Sequence, residues 1–128
     1  MKKNKRGFTL VELLAVVVIL GIILAIAIPS IGSIISTNRK AAFVANLRLM
    51  VKTGDLLLAQ GTLTNLNTAT AASVGGVVAD YSTFAMVGTA STTITISAVG
   101  NTGSKFAGCS TGGHRAMDAL TEANITGC

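Results

Sequence analysis

The sequence predicts an α+β fold, in which a long N-terminal helix packs against a small antiparallel β-sheet head with a disulfide-closed C-terminal loop. The helix is indicated by an apolar segment with no charged residue from Leu13 to Asn38. The sheet is indicated by residues 92–99, within which the hydroxyl side chains of Thr93, Thr95 and Ser97 alternate with apolar side chains. The loop is indicated by the two cysteines of the chain, Cys109 and Cys128, which bracket its last residues.

The apolar segment is long enough to cross a membrane. Residues 13–28 are all apolar or glycine and would rise ~24 Å as a helix. Residues 8–11 in front and 30–35 behind extend the segment to the ~20 residues that a bilayer requires. We therefore expect a transmembrane part at about residues 8–35. Basic residues in front of it would keep the N-terminus cytoplasmic and place the rest of the chain outside; they are Lys2, Lys3, Lys5 and Arg6.

Glu12 is the anomalous residue of this segment. A carboxylate in a membrane helix is disfavoured, and such residues are usually functional. The next cation after Arg6 is Arg39, so none lies within reach along the helix. A positive partner for Glu12 would have to come from the start of the chain or from another chain.

After its short basic leader the chain reads Gly7-Phe8-Thr9-Leu10-Val11-Glu12-Leu13-Leu14, and an apolar helix containing Pro29 follows. This pattern closely resembles the N-terminus of type IV prepilins and the related pseudopilins, over roughly the first thirty residues. The resemblance implies a leader peptide at residues 1–7, cleaved after Gly7 by a membrane-embedded prepilin peptidase. It also implies N-methylation of the new terminus, Phe8, and pairing of Glu12 with the N-terminal amine of a neighbouring subunit during filament assembly.

Two other interpretations of this segment are an ordinary secretory signal and a generic anchor. A secretory signal has an apolar core of ~7–15 residues and a small-x-small cleavage site, and this segment is longer. A generic anchor gives no reason for a carboxylate four residues after a Gly-Phe step. The prepilin interpretation accounts for both features.

The middle of the predicted helix contains residues that weaken it. Pro29 removes one backbone hydrogen bond and clashes with the preceding turn. Gly21 lies about two turns before Pro29. We therefore expect a kink near residues 25–29. The resemblance implies that the region from Gly21 to Pro29 loses helicity when subunits pack into a filament.

The helix should continue to Gln60 and stop at Gly61. The whole helix, residues 8–60, would then measure ~80 Å. The helix carries four cations outside the leader, which are Arg39, Lys40, Arg48 and Lys52. They could form a nucleic-acid patch, but a solvated helix face is the favoured interpretation. One apolar stripe of the helix should lie under the head, and it consists of Phe43, Leu47, Met50, Gly54 and Leu57.

Residues 61–128 remain for an extracellular head, which is small for a self-sufficient core and should depend on the helix and on a covalent link. We expect an irregular crossing loop at its start. The end of the head should be either a short helix at 115–123 or an irregular loop. Between them we expect short strands at 77–78, 81–87 and 92–99, a turn at 100–103 and a returning strand at 104–109.

Cys109 and Cys128 lie in the part predicted to be outside the cytoplasm, where disulfides persist. A bridge between them would contribute ~3 kcal/mol in the chain-entropy model. Free buried thiols are the alternative. The resemblance supports the bridge, since many pilins close a C-terminal loop with a disulfide.

The sequence offers no catalytic, metal or cofactor site, and we expect none. His114 is the one histidine, and with Asp118 it has no diagnostic spacing for a catalytic triad. Residues 100–105 lack the full spacing of a phosphate loop. The formal charge of +5 indicates topology rather than nucleic-acid binding. Four of the ten lysines and arginines lie in the leader, which leaves six against five acidic residues.

The sequence therefore predicts a structural subunit of an extracellular type IV pilus or pilus-like filament, inserted in the membrane before assembly. Its expected partners are other copies or other pilins, the prepilin peptidase, the membrane and the pilus assembly machinery. A pseudopilin of a type II secretion or competence DNA-uptake system is one alternative, and nucleic acid would be a partner only for a competence pilin. A monomeric membrane-anchored surface binding protein is the alternative from another class.

Overall fold

The computed structural model describes residues 7–128. Its dominant element is the helix α1 (Leu10–Ala59). The chain divides into two compact units, with the boundary between Ile35 and Ser36. The basic residues of the predicted leader lie outside the described residues, and Gly7 lies inside them.

In the first unit, α1 exposes its apolar side chains. Large apolar side chains from Phe8 to Ile35 are 47–93% exposed. By length and composition α1 can cross a membrane, and none of its most apolar window is buried. Because exposing so much apolar surface to water is unfavourable, this unit requires an apolar environment, as the predicted membrane span does.

The helix is continuous through Pro29. Proline has no backbone N–H, so the carbonyl one turn earlier loses its usual donor. One residue further on, the Ser30 hydroxyl donates to the Ile26 carbonyl at 3.3 Å. The kink near residues 25–29 stays a prediction.

The C-terminus of α1 is closed by the predicted glycine. Gly61 has a left-handed φ of 71°. Its N–H donates to the Leu58 carbonyl at 3.1 Å, and the Thr62 N–H donates to the Leu57 carbonyl at 3.0 Å. These two bonds form a Schellman motif, which satisfies carbonyls that the helix itself leaves unpaired.

The core of the second unit, residues 36–128, lies between α1 and the sheet. Four members of the predicted stripe are buried, whereas Leu57 is only partly buried and Leu58 is buried instead. Gly54 lies close to the sheet, since an added Cβ would lie 2.9 Å from the terminal methyl group of Met86, which would have to shift. Phe43 packs edge-on against Phe106, with ring centroids 5.3 Å apart.

The sheet has three antiparallel strands in the order β1-β2-β3. They are β1 (Tyr81–Val87), β2 (Thr95–Gly100) and β3 (Arg115–Ala116). Phe84 of β1 lies opposite Ala98 of β2. Ile96 and Ala98 are fully buried while Ser97 between them is half-buried, which confirms the predicted alternation. The strand begins at Thr95 rather than at residue 92, because Thr92 accepts a hydrogen bond from the Thr89 N–H at 2.8 Å in the preceding turn.

Two predicted strands of the head are wrong, and the segment at the end of the head takes the irregular alternative. Residues 77–78 form no strand, because Val78 begins the 3₁₀ turn Val78–Asp80, and both Val77 and Val78 are more than half exposed. Residues 104–109 form turns that carry Phe106 into the core, and the segment beside β2 is instead 109–111 followed by β3. Residues 115–123 form no α-helix but β3 and short 3₁₀ turns, which agrees with the irregular alternative.

The predicted disulfide between Cys109 and Cys128 is present. A glycine precedes each cysteine, and both have left-handed φ angles, 82° at Gly108 and 79° at Gly127. A Cβ on either glycine would collide with the carbonyl oxygen of the other. The two backbones therefore approach closely beside the bridge, and only glycine fits at both positions.

Candidate functional site

The start of α1 is held by a reciprocal pair of hydrogen bonds. The Thr9 N–H donates to Glu12 Oε2 at 2.9 Å, and the Glu12 N–H donates to Thr9 Oγ1 at 3.2 Å. Thr9 precedes the first helical residue and Glu12 is the third residue of the helix. This arrangement is a capping box, which satisfies two backbone donors that a helix start leaves free.

Sequence reasoning missed the local role of Glu12. The Thr-x-x-Glu spacing before an apolar run is the sequence signal of such a cap, and it gives Glu12 a local partner besides the predicted cation. The helix accordingly starts at Leu10, with Thr9 as its N-cap, rather than at Phe8 as predicted. Glu12 is thus stabilised within its own chain before any neighbour is present.

The carboxylate of Glu12 retains capacity for a second partner. An ionised carboxylate offers two oxygens with about four acceptor positions, and within residues 7–128 the hydrogen bond to Glu12 comes from Thr9 and reaches Oε2 alone. No ion pair links Glu12 to another residue of the described range 7–128. The ion pair found within that range lies in the head and joins Lys105 to Asp80 at 3.0 Å. Arg39, the next cation along α1, is 27 residues away, or about 40 Å of helix.

Gly7 and Phe8 lie beside this cap and outside the helix. Phe8 is 93% exposed, and a Cβ placed on Gly7 would meet no atom within 4 Å. Gly7, Phe8, Thr9 and Glu12 line one open concavity of about 430 Å³. The peptide bond between Gly7 and Phe8 is therefore next to the helix start and accessible from outside the chain.

The remaining candidates in the head have structural explanations. His114 and Asp118 are exposed, and no group of three or more His, Cys, Asp or Glu side chains within residues 7–128 is placed to hold a metal ion. Lys105, at the end of the weak phosphate-loop pattern, pairs with Asp80 and lies 5.1 Å from the centre of the Phe106 ring. The turn at 101–104 is tied to Asp80 by the Asn101 N–H and the Ser104 hydroxyl, at 2.8 and 3.1 Å.

Two buried polar residues of the head were also missed. The Thr111 hydroxyl is fully buried, accepts from the Ala98 N–H at 3.1 Å and can donate to the Gly113 carbonyl at 2.7 Å. Tyr81 is 7% exposed, and its hydroxyl has no hydrogen-bond partner among the described residues. Burial, followed by the nearby negative charge of Asp80, raises the pKa of Tyr81 to about 12. Both residues are buried in the head and do not contribute to the helix start.

Comparison with known proteins supports the interpretation of the helix start. The model of the prokaryotic N-terminal methylation motif matches residues 2–28. No curated protein and no solved structure matches the chain. The matched range includes the Gly7–Phe8 bond, the capping box and most of the exposed apolar helix. Residues 2–28 of the chain thus carry the N-terminal leader signature of type IV prepilins.

Proposed function

We propose that this chain is a structural subunit of an extracellular type IV pilus or pilus-like filament. The observation that carries the proposal is the combination, in one segment, of the methylation motif, a capped helix start with Glu12, and an apolar helix surface exposed from Leu10 to Ile35. A surface of this kind is compatible with lipid before assembly and with neighbouring helices afterwards. Pilins use it in both environments.

Processing would begin at Gly7. The leader would be removed after Gly7 by the prepilin peptidase, and Phe8 would become the N-methylated first residue. Because the Gly7–Phe8 bond is exposed and lies outside the helix, the peptidase would not have to unwind α1 to reach it. A glycine on the leader side adds no side chain to the accessible concavity.

Glu12 would then set the register of assembly. Cleavage creates a positive amine at Phe8, and the second oxygen of Glu12 is available to the amine of a neighbouring subunit. In a low-dielectric environment an unpaired charge is strongly disfavoured, so subunits docked out of register would leave both groups unsatisfied. The pairing would thus favour one axial stagger between adjacent helices. Loss of helicity between Gly21 and Pro29 would accompany this packing.

The head would contribute a neutral outer surface. Residues 61–128 contain five charged side chains and thirteen threonines. Such a surface permits close approach of many identical heads, because like charges do not accumulate along the fibre. Before assembly the chain would be a single-pass membrane protein with its head outside.

The composition of surface filaments tests the proposal. Filaments sheared from the cells that express the chain should contain it as the main component, in mass spectrometry of material imaged by electron microscopy. Deletion of the chain should remove those filaments. A pseudopilin would instead appear in short structures within the envelope, and a chain recovered only as a membrane-bound monomer would contradict the filament role.

A further inference from the structure

Aromatic contacts mark the end of the second unit at which its part of α1 begins. Phe43 is the first buried residue of α1 in the described part of the chain. Its ring centroid lies 5.3 Å from that of Phe106 and 6.2 Å from that of Tyr81. The turns that lead into these two aromatic residues, Val78–Asp80 and 101–105, therefore lie at this end of the head.

The positive charge of the second unit is concentrated at the same end. The unit holds six cations and four carboxylates, a net charge of +2. Arg39 and Lys40 lie one turn of α1 before Phe43, and Lys105 directly precedes Phe106. Asp80, which pairs with Lys105 at 3.0 Å, is the carboxylate at this end. The other three cations and three carboxylates cancel, so this end carries the net charge of the whole unit; they are Arg48, Lys52, Asp55, Arg115, Asp118 and Glu122.

Exposed apolar side chains accompany these cations. Val77 and Val78 are 55% and 59% exposed, and Val78 begins the turn that ends at Asp80. Hydrogen bonds hold this turn in place. The Asn101 N–H donates to the Asp80 carbonyl at 2.8 Å, and Asn101 Nδ2 donates to the Ala79 carbonyl at 3.2 Å. Cations and apolar side chains thus share one preformed surface, which we call the basal surface; its residues are Arg39, Lys40, Val77, Val78 and Lys105.

The position and chemistry of the basal surface favour an anionic lipid bilayer as its partner. Arg39 follows Ile35, the last exposed large apolar side chain of the first unit, by one turn of α1. Basic side chains near the end of a membrane helix extend to the lipid headgroups. Cations attract anionic phospholipids, and exposed apolar side chains enter the boundary between headgroups and acyl chains. Nucleic acid would be attracted by the cations but would give the two valines no apolar partner.

We propose that the basal surface binds the anionic phospholipid headgroups of the membrane in which α1 is inserted. The inference rests on the membrane-inserted subunit of the proposed function and adds a contact between the head and the lipid surface. Arg39 is exposed and Lys40 is half-buried, and neither forms an ion pair within residues 7–128. Both cations are therefore available to lipid phosphates. The contact would hold the head against the bilayer until the subunit leaves the membrane.

Quenching by a labelled lipid measures this contact. The full chain is reconstituted in bilayers of phosphatidylcholine, alone or mixed equally with phosphatidylglycerol, and each bilayer contains a lipid with a nitroxide headgroup. A bimane label on Thr102→Cys reports on the turn that leads to Lys105, and the joined Cys109 and Cys128 do not react with the label. We expect quenching to be severalfold stronger in the anionic bilayer, and the difference should disappear at high salt.

A second label position shows whether the contact is confined to this end of the head. Thr93 is exposed and lies in the same open groove as Asp55, which is four turns beyond Arg39 on α1. A bimane label on Thr93→Cys should therefore be quenched equally in the two bilayers. The same lipid dependence at Thr93 and Thr102 would overturn the proposed surface.

Matched substitutions on α1 assign the contact to the cations. Arg39→Gln and Lys40→Gln should each lower the difference in quenching by roughly half, because each removes one cation from the lipid surface. Lys52→Gln is the control, since it makes the same change at an exposed residue further along the helix. Equal quenching in the two bilayers, or an equal effect of Lys40→Gln and Lys52→Gln, would overturn the proposal. The measurement needs no filaments, so a chain that inserts but never assembles would contradict the proposed function alone.

Discussion

At the point where α1 begins, the Thr9 N–H donates to the Glu12 carboxylate at 2.9 Å and the Glu12 N–H donates to the Thr9 hydroxyl at 3.2 Å. Glu12 therefore has a local role, worth on the order of 1 kcal/mol for a typical cap, besides its proposed role in assembly. Replacing Glu12 with alanine would remove both roles at once. Only variants that separate the cap from the charge can assign the assembly role to the charge.

Glu12→Gln and Thr9→Val make that separation. Glutamine can preserve the capping box but has no charge, whereas valine removes the hydroxyl acceptor and leaves the carboxylate. If charge pairing directs assembly, Glu12→Gln and Glu12→Ala should lower filament number about tenfold or more. Both variants would leave the N-terminal amine of the neighbouring subunit unpaired, and an unpaired charge in a low-dielectric environment costs several kcal/mol. Thr9→Val should retain most filaments.

Electron microscopy gives the filament counts, and an immunoblot of the membrane fraction confirms insertion and leader cleavage. Normal filament numbers from processed Glu12→Gln subunits would show that the charge does not direct assembly. If Thr9→Val matched the glutamine variant, the cap rather than the charge would be responsible.

The glycine next to the disulfide should be intolerant of substitution. Gly127→Ala forces alanine into a left-handed φ of 79° and brings its Cβ against the Gly108 carbonyl. We expect a loss of unfolding free energy of ~1–3 kcal/mol from backbone strain alone, with slower formation of the Cys109–Cys128 bridge. Gly103→Ala is the control, because a Cβ there would meet nothing within 4 Å.

Urea unfolding of the full chain in detergent, followed by circular dichroism, measures the difference between the glycine variants. Non-reducing peptide mapping shows whether the bridge has formed. Equal stability of the two variants would contradict the close approach of the two backbones.

The helix could be predicted from sequence because its signals are local and repeated. Phe43, Leu47 and Met50 recur at helical spacing, and Gly61 supplies the left-handed residue that a helix end needs. The return of the chain beside β2 could not be predicted, since it depends on contacts between distant residues. Thr111, thirteen residues after Ala98, forms part of that pairing through its own hydroxyl and N–H, and no alternating pattern marks it.

The cap at the helix start, in contrast, could have been predicted from the sequence. The Thr9-x-x-Glu12 spacing is the sequence signal of a capping box, and it places the partner of Glu12 three residues away. An open groove of the head is lined by Lys52, Thr93 and Met117 among other residues. It could not have been found from sequence, because these residues come from three separated segments that meet only in the folded head.

The buried hydroxyl of Thr111 should be important for the stability of the head. Thr111→Val keeps the side-chain shape but leaves the Ala98 N–H without its acceptor. An unsatisfied buried donor costs ~1–3 kcal/mol, so we expect a lower unfolding midpoint in urea. Thr83→Val, at an exposed position of β1, should change the midpoint little. A midpoint for Thr111→Val equal to that of the unchanged chain would contradict this assignment.

Tyr81 should make the stability of the head sensitive to alkaline pH. Burial first, and the charge of Asp80 second, raise its pKa from the ordinary value of 10.0 to about 12. Since the neutral phenol is favoured in the folded state, its contribution is complete below pH ~10 and is lost as the pH rises through the folded pKa. The chain has one tyrosine, so phenolate absorbance reports Tyr81 alone.

The absorbance of the folded chain should titrate near pH 12, and that of the urea-unfolded chain near the ordinary pKa of about 10. The unfolding free energy should fall over the same interval. Coincident titrations of the folded and unfolded chain would contradict the burial of this phenol.

The intact mass of the subunit in sheared surface filaments shows directly whether the chain is processed and assembled as a pilin. We expect a chain that begins at Phe8, carries one added methyl group on its terminal amine, and lacks two hydrogens because Cys109 and Cys128 are joined. Replacing Gly7 with a bulky residue should leave the uncleaved chain in the membrane and no such species in filaments. A mature chain that begins downstream of Ser30, or filaments that do not contain this chain, would contradict the proposed function.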